Sequence, residues 1–267
     1  MSNPLGKHVS YGDSVDETIL FPIERGPSRT RINVRDPLPF EGLDRWTAFE
    51  VSWLDTLGIP QVGIATISYP ANSPMLVESK SLKLFLGGFN FTKFESVDAV
   101  ENAIAAALRN RLACAEAAVS ILPSERWGEL SLSAAPGMCV DRATIDSTYD
   151  FKLRAGDEEV EETIYSHLLR SLCPVTAQPD WGTVAIHYRG KRLSHASLVG
   201  YLLAHRSHQG YHEECCELIF MDLLNVLNPS KLWVACLYTR RGGIDINPER
   251  WLPGTERPTI VGRLARQ

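Results

Sequence analysis

Cys173 and Asp180 stand in the segment Ser171-Leu172-Cys173-Pro174-Val175-Thr176-Ala177-Gln178-Pro179-Asp180-Trp181. Its two prolines make it a loop between regular elements, the kind of segment that often carries functional groups. A loop thiol whose pKa is lowered is a nucleophile. An acid seven residues on can return to the same pocket and handle a proton. Spacing alone leaves a second possibility open, a small buried cysteine in a turn, which is what most free cysteines are.

Three other segments hold residues with chemical potential. In Gly210-Tyr211-His212-Glu213-Glu214-Cys215-Cys216-Glu217, His212 and Glu213 stand at the mouth of a helix, with His208 four residues earlier. His208, His212 and Cys215 are metal-ligand types, but their spacing fits no standard zinc pattern, so no metal is expected. Glu213 and Glu214 also suit a helix N-terminus simply by opposing its dipole. Cys215 and Cys216 read as one core and one surface residue, with no chemistry. In Tyr238-Thr239-Arg240-Arg241-Gly242-Gly243-Ile244-Asp245, two arginines and two glycines end a strand. The guanidinium forks suit an anion and the glycines let a ligand approach, although a solvated turn fits equally well. In Glu78-Ser79-Lys80-Ser81-Leu82-Lys83-Leu84-Phe85, Lys80 and Lys83 share a helix face, which could be merely solvated. Gly-x-Gly-x-x-Gly, the P-loop pattern and Gly-x-Ser-x-Gly do not occur, so the usual Rossmann and P-loop routes to a nucleotide are closed.

The elements that must position these groups follow from periodicity. Phe49, Val51 and Trp53 alternate with polar or small residues, and Val62 to Tyr69 is rich in β-formers; Gly58-Ile59-Pro60 between them makes a hairpin. A helix is expected over 79–86, capped by Ser79 or Ser81 and stopped by Gly87-Gly88. Ser96 caps a longer helix to about Leu112, with Val97, Val100, Ile104, Leu108 and Leu112 on one stripe. Strands are expected at 117–122, 130–133 and 183–189, around Tyr149, Phe151 and Leu153, and at 233–239; helices at 194–206 and 212–227. The period of Val160 to Leu169 does not separate strand from helix. Residues 1–45 carry five prolines and read as an extended lead-in wrapped on a surface.

Ser81-Leu82-x-x-Phe85-Leu86 superposes on Ser197-Leu198-x-x-Tyr201-Leu202 at an offset of 116, and the following elements keep nearly that offset. A shared element order at constant offset predicts two tandem α+β modules, residues 1–140 and 141–267. The 267-residue chain has room for them. With 27 Lys and Arg against 32 Asp and Glu, the net charge is -5, a poor basis for binding nucleic acid. Met1 to Ser10 has no secretory apolar region, and the longest apolar run, Leu232 to Tyr238, is too short to span a bilayer. Six cysteines without a Cys-x-x-Cys pattern fit a reducing cytoplasm better than a disulfide framework.

The four motifs, in order, resemble the NADPH-dependent 7-cyano-7-deazaguanine reductases, the nitrile reductases of queuosine biosynthesis, in their long two-module form. Residues 78–85 are similar to that family's signature motif, and 173–181 to its catalytic loop. His212-Glu213 and the segment 238–248 match as well. The resemblance implies α+β tunnelling-fold modules, each an antiparallel four-stranded sheet with two helices on one face, and a homodimer in the cytoplasm. It implies a deazapurine substrate and NADPH as cofactor. It gives Cys173 the role of nucleophile and Asp180 that of proton donor. Val77, Glu78, Ser79, His212 and Glu213 would contact the substrate; Ser79, Lys80, Arg241 and Gly242 would contact NADPH. The same fold also houses GTP cyclohydrolase-like and pterin enzymes, and a non-catalytic purine-binding protein of that fold is a further alternative.

Overall fold

The computed structural model describes residues 12–145, 151–260 and 262–267. Contacts divide the chain into two compact units that interleave in sequence. The first takes residues up to Ser28, Leu43–Leu130 and Arg240–Ile246; the second takes Arg29–Gly42, Ser131–Thr239 and Asn247–Gln267.

The first unit starts with β1 (Pro22–Glu24), which leads into α1 (Arg25–Arg31, its last three residues counted with the second unit), and continues through most of β2 (Glu41–Leu54), then β3 (Pro60–Pro70), β4 (Met75–Val77), α2 (Ser79–Gly87), α3 (Val97–Leu112) and β5 (Ala118–Pro123). Strands β5, β3 and β2 form an antiparallel sheet in that order, and β1 pairs with β4. The alternation read from the sequence needs one correction here. The alternation predicts Phe49 inward with Val51 and Trp53, but Asp44, Trp46, Ala48, Val51 and Trp53 are the buried set. A bulge between Ala48 and Val51 inserts one residue and swaps the faces, which a strict period of two cannot reveal. The lead-in is likewise more than a wrap: it forms β1 and α1, and Arg25 is buried against Asp44 in an ion pair.

The second unit contains β6 (Met138–Cys139), β7 (Ala155–Ser166), β8 (Arg170–Leu172), β9 (Pro179–Leu193), α4 (His195–Ala204), α5 (His212–Leu227) and β10 (Lys231–Tyr238), together with most of β11 (Ile244–Trp251). Antiparallel neighbours run β11-β10-β9-β7; β6 joins β7 in parallel, and β8 pairs with β9. The ambiguous stretch from Val160 is thus strand as far as Ser166. Among the described residues, two expected strands do not form. Leu130 and Leu132 are exposed outside any strand, with Leu132 making only an isolated bridge to Arg263. Phe151 has a left-handed backbone and is followed by irregular chain, while Tyr149 lies outside the described residues.

Both units repeat one local construction. In α4, Ser197 donates to the carbonyl of Ser194 (2.7 Å) and accepts from the amide of Arg154 (3.0 Å). In α2, Ser81 donates to the carbonyl of Glu78 (2.6 Å) and accepts from the amide of Phe21 (3.0 Å). Helices α3 and α5 are each 16 residues long and end on a left-handed residue, Ala113 and Asn228. The two matching serine motifs therefore share hydrogen bonds as well as apolar positions.

Helix α5 is fastened on two sides. Ile219, Phe220, Leu223 and Leu227 are fully buried, and Phe220 meets Phe40 edge-on at 5.4 Å. Glu217, also buried, accepts from Arg29 (2.7 Å) and from Arg250 (3.0 Å). Removing one member of a buried charge network leaves the others desolvated and uncompensated. Glu217→Ala is expected to lower unfolding stability by about 3 kcal/mol, read as a fall in the urea midpoint at constant slope. A shift equivalent to less than about 1 kcal/mol would mean that solvent replaces the carboxylate.

Candidate active site

In the second unit, Cys173 and Asp180 lie at the end of one short hairpin. Strand β8 pairs with the start of β9 so that Ser171 faces Asp180 and Leu172 faces Pro179. Cys173 is the first residue beyond the pairing. The loop closes on its backbone: its amide donates to the carbonyl of Gln178 (2.9 Å), and its carbonyl accepts from the amide of Ala177 (2.9 Å). Ala177 takes φ 53°, the left-handed conformation that lets the chain turn back between the two prolines. Cys173 and Asp180 are both buried, at 9% and 3% exposure, so neither is a solvated loop residue.

The same hairpin is tied to the start of α5. Leu172 donates to the carbonyl of His208 (2.8 Å) and accepts from the amide of Gly210 (3.1 Å). These bonds set His212 beside Asp180, with Nε2 3.9 Å from Oδ2. The imidazole also stands edge-on to the Tyr238 ring, centroids 4.0 Å apart. Glu213 follows in the first turn of α5 and is 2% exposed. Arg31 grips the next residue, Glu214, through both carboxylate oxygens (2.7 and 2.8 Å), which fixes the turn that carries His212 and Glu213. Cys215 and Cys216 are both fully buried, where one had been expected at the surface. Burial pushes the Cys215 thiol up to about 12, so it stays protonated and inert.

The remaining candidates lie in the first unit. Glu78, not Ser79 or Ser81, is the N-cap of α2: its carboxylate accepts from the amides of Lys80 (2.8 Å) and Ser81 (2.8 Å). Ser79 donates to the same group at 3.3 Å. Glutamate is an uncommon cap, and the equivalent position in the second unit, Ser194, is an ordinary serine cap. Glu78 is 1% exposed, and a carboxylate has more acceptor sites than these bonds use. Val77 precedes it in β4, buried and paired with Pro22.

Lys83, one helical turn beyond Lys80, reaches the arginine–glycine turn. Its ammonium donates to the carbonyl of Gly242 (2.6 Å) and pairs with Glu50 (2.9 Å). Gly242 and Gly243 take φ 59° and 80°, left-handed conformations that glycine adopts without the strain a Cβ would bring. These groups line a pocket of about 210 Å³ with Ala48, Leu86 and Ile244 as its apolar walls. Arg241 closes the turn through reciprocal backbone bonds with Ile244, and Arg240 stacks on Phe49 at 4.5 Å. Lys83 was visible in the sequence only as a member of a solvated face; its contact with Gly242 spans 159 positions and has no local signal.

Residues 11–122 match the family described as nitrile reductase, 7-cyano-7-deazaguanine-reductase N-term, and residues 179–253 match the one described as QueF-like protein. A protein of Desulfotalea psychrophila named NADPH-dependent 7-cyano-7-deazaguanine reductase is 44% identical, over 99% of this chain and 97% of its own. Proteins of the same name from Paraburkholderia xenovorans and Burkholderia multivorans are 45% and 46% identical, covering 99% and 93% of this chain and 98% and 92% of theirs. The chain belongs to the 7-cyano-7-deazaguanine reductase family. The match to this nitrile reductase family takes in candidate residues of both units. The first span holds the candidates Val77 to Lys83 of the first unit, and the second holds Asp180, His212 and Glu213 of the second unit and the 240–243 turn. Cys173 falls between the two spans, in a stretch covered by the near-full-length relatives.

Proposed function

We propose that this chain reduces the nitrile of 7-cyano-7-deazaguanine to the primary amine with NADPH, as a step of queuosine biosynthesis for tRNA, that residues 1–140 and 141–267 are its two tunnelling-fold modules, and that it acts as a homodimer. The observation that carries the reading is the β8–β9 hairpin, which holds a buried thiol at its tip and a buried acid 3.9 Å from an imidazole.

A bare nitrile accepts hydride poorly, and the thiol supplies the remedy. Cys173, reacting as the thiolate, adds through Sγ to the nitrile carbon as one π pair of the C≡N bond moves to nitrogen, which takes the proton of the Asp180 carboxyl, leaving a carboxylate and a thioimidate with one new C–S and one new N–H bond. NADPH, when bound, supplies hydride, and the four electrons between nitrile and amine require two equivalents. Between the two reductions Cys173 leaves as thiolate, its bonding pair returning to sulfur as an imine forms. His212 serves as the second proton carrier. The imine must be kept from water, and burial of Cys173, Asp180 and Glu213 provides a dry setting. Val77, Glu78 and Ser79 contribute further substrate contacts.

The first unit suits a phosphate-bearing cofactor. The 240–243 turn holds Gly242 and Gly243 in the left-handed region, with Arg240 and Arg241 in the turn and the Lys83 ammonium on the Gly242 carbonyl supplying positive charge. Ser79, Lys80, Arg241 and Gly242 are assigned to holding NADPH. The direct test is loss of NADPH absorbance on adding the cyano base, at two NADPH per amine formed, with the product mass confirmed. Binding of the base without NADPH consumption would refute the reading.

Glu213 presents two acceptors to the N1–H and 2-amino donors of the deazaguanine edge. Glu213→Ala is expected to weaken substrate binding by about 1–3 kcal/mol for each donor left unpaired. An analogue lacking the 2-amino group should bind the wild type weakly and lose less in the variant. Equal binding of both bases by the wild type would contradict the anchor.

A further inference from the structure

Three arginines of the second unit converge on one indole. The guanidinium carbons of Arg170, Arg206 and Arg266 lie 5.6, 5.6 and 5.8 Å from the centre of the Trp181 ring. They come from three places in the chain: Arg170 is the direct cross-strand partner of Trp181 in the β8–β9 hairpin, Arg206 follows α4, and Arg266 belongs to the C-terminal tail. Being grouped about one ring, no two of the charges can lie farther apart than twice the longer distance.

Such a cluster ordinarily holds carboxylates, as Arg29, Arg31 and Arg250 do in this same unit. Among the described residues no acidic side chain lies within ion-pair distance of Arg170, Arg206 or Arg266. Arg170 donates to the backbone carbonyl of Arg206, and Arg266 to that of His167 at 2.9 Å. Nε of Arg206 is buried without a hydrogen-bond partner. Carbonyls and a π-face orient guanidinium groups but leave their net charge uncancelled. In a chain of net charge -5, three gathered and unneutralised cations mark a place for an anion.

We infer that Arg170, Arg206 and Arg266 around Trp181 form a binding site for the phosphomonoester of a nucleotide. A phosphate dianion offers acceptors to several guanidinium forks at once and relieves their mutual repulsion. A long polyanion is not the match, because the three charges ring a single side chain and form no track. The phosphate has two possible sources, the phosphorylated ribose of NADPH or a separate nucleotide; only the first of these rests on the function proposed above. The site adjoins the catalytic hairpin in sequence, since Trp181 follows Asp180.

Calorimetric titration with adenosine 2′,5′-bisphosphate tests the site without turnover. The wild type is expected to bind it with an affinity that falls as salt rises, since such attraction is screened within about 10 Å at 0.1 M. Arg206→Gln and Arg266→Gln should each weaken binding by about tenfold or more, the usual worth of a charge-assisted contact. Arg266 is exposed, so its replacement should leave the thermal midpoint unchanged and isolates the charge from folding. Displacement of the probe by NADP⁺ assigns the phosphate to the cofactor, and persistence of the probe beside NADP⁺ assigns it to a separate nucleotide. Either result supports the site. Titrations in which the wild type fails to bind the probe, or in which both variants bind it as the wild type does, overturn it. The same titration on Cys173→Ala protein keeps the two questions apart, because binding should survive there whether or not the nitrile chemistry is as proposed.

Discussion

Cys173→Ala protein is expected to fold, to bind the cyano base, and to reduce none of it. Folding should survive because the loop is closed through the backbone of residue 173: its amide bonds to Gln178 and its carbonyl to Ala177. The side chain contributes one small buried atom beyond Cβ, so the cost of its removal is of the order of a buried methylene, about 1 kcal/mol. Chemistry should vanish, since without covalent activation hydride would have to attack an unactivated nitrile. The measurement is intact-protein mass after incubation with the base and no NADPH. Wild type should gain one substrate mass, and the variant should gain nothing. Reduction by the variant at near wild-type rate would end the covalent proposal, whatever the mass spectrum shows.

Much of this arrangement is legible in the sequence where local rules govern. Helix α3 runs from its Ser96 cap to Leu112 as expected, with Val100, Ile104, Leu108 and Leu112 fully buried. The matching Ser-Leu-x-x-aromatic-Leu motifs are legible because Ser81 and Ser197 do the same hydrogen-bonding work in α2 and α4. Local rules fail where polar groups are buried in pairs. Strand β11 contains Asp245, Asn247, Pro248, Glu249 and Arg250, a composition that reads as loop. Yet Arg250 is fully buried because Glu217, 33 residues earlier, neutralises it, and Glu249 accepts from Trp233. Arg25 and Asp44 hide the order of the lead-in in the same way. In the candidate site, residue types announced Cys173, Asp180, His212 and Glu213. The link between Lys83 and the glycine turn, and the role of Glu78 as a cap, depend on partners that no spacing rule connects. The reverse error occurs at Leu130 and Leu132, whose apolar alternation suggested a strand although both side chains are exposed. Alternation reports a strand only when a sheet edge is there to receive it.

Asp180→Asn is expected to slow nitrile reduction by about 10²–10⁴-fold, the usual worth of a positioned general acid. Asparagine keeps the size and one oxygen of the side chain, and the flanking strand pairs, Ser171 with residue 180 and Leu172 with Pro179, are made by the backbone. The loss should therefore fall on kcat, with the affinity for the base nearly unchanged. It should also fall on one step: the adduct with Cys173 should form more slowly in rapid-quench mass measurements, because a nitrile nitrogen that cannot collect a proton leaves the new C–S bond reversible. His212, 3.9 Å away, is the competing donor, and a double-variant cycle separates the two. If Asp180 and His212 act as one relay, His212→Asn added to Asp180→Asn should cost little beyond the single change, since groups working as a unit are non-additive. If each serves a different reduction, the losses should appear at different steps: adduct formation for Asp180, and turnover of the imine, seen as released aldehyde, for His212. An Asp180→Asn variant whose adduct forms at the wild-type rate across pH would remove Asp180 from the proton-donor role and leave His212 as the residue to examine.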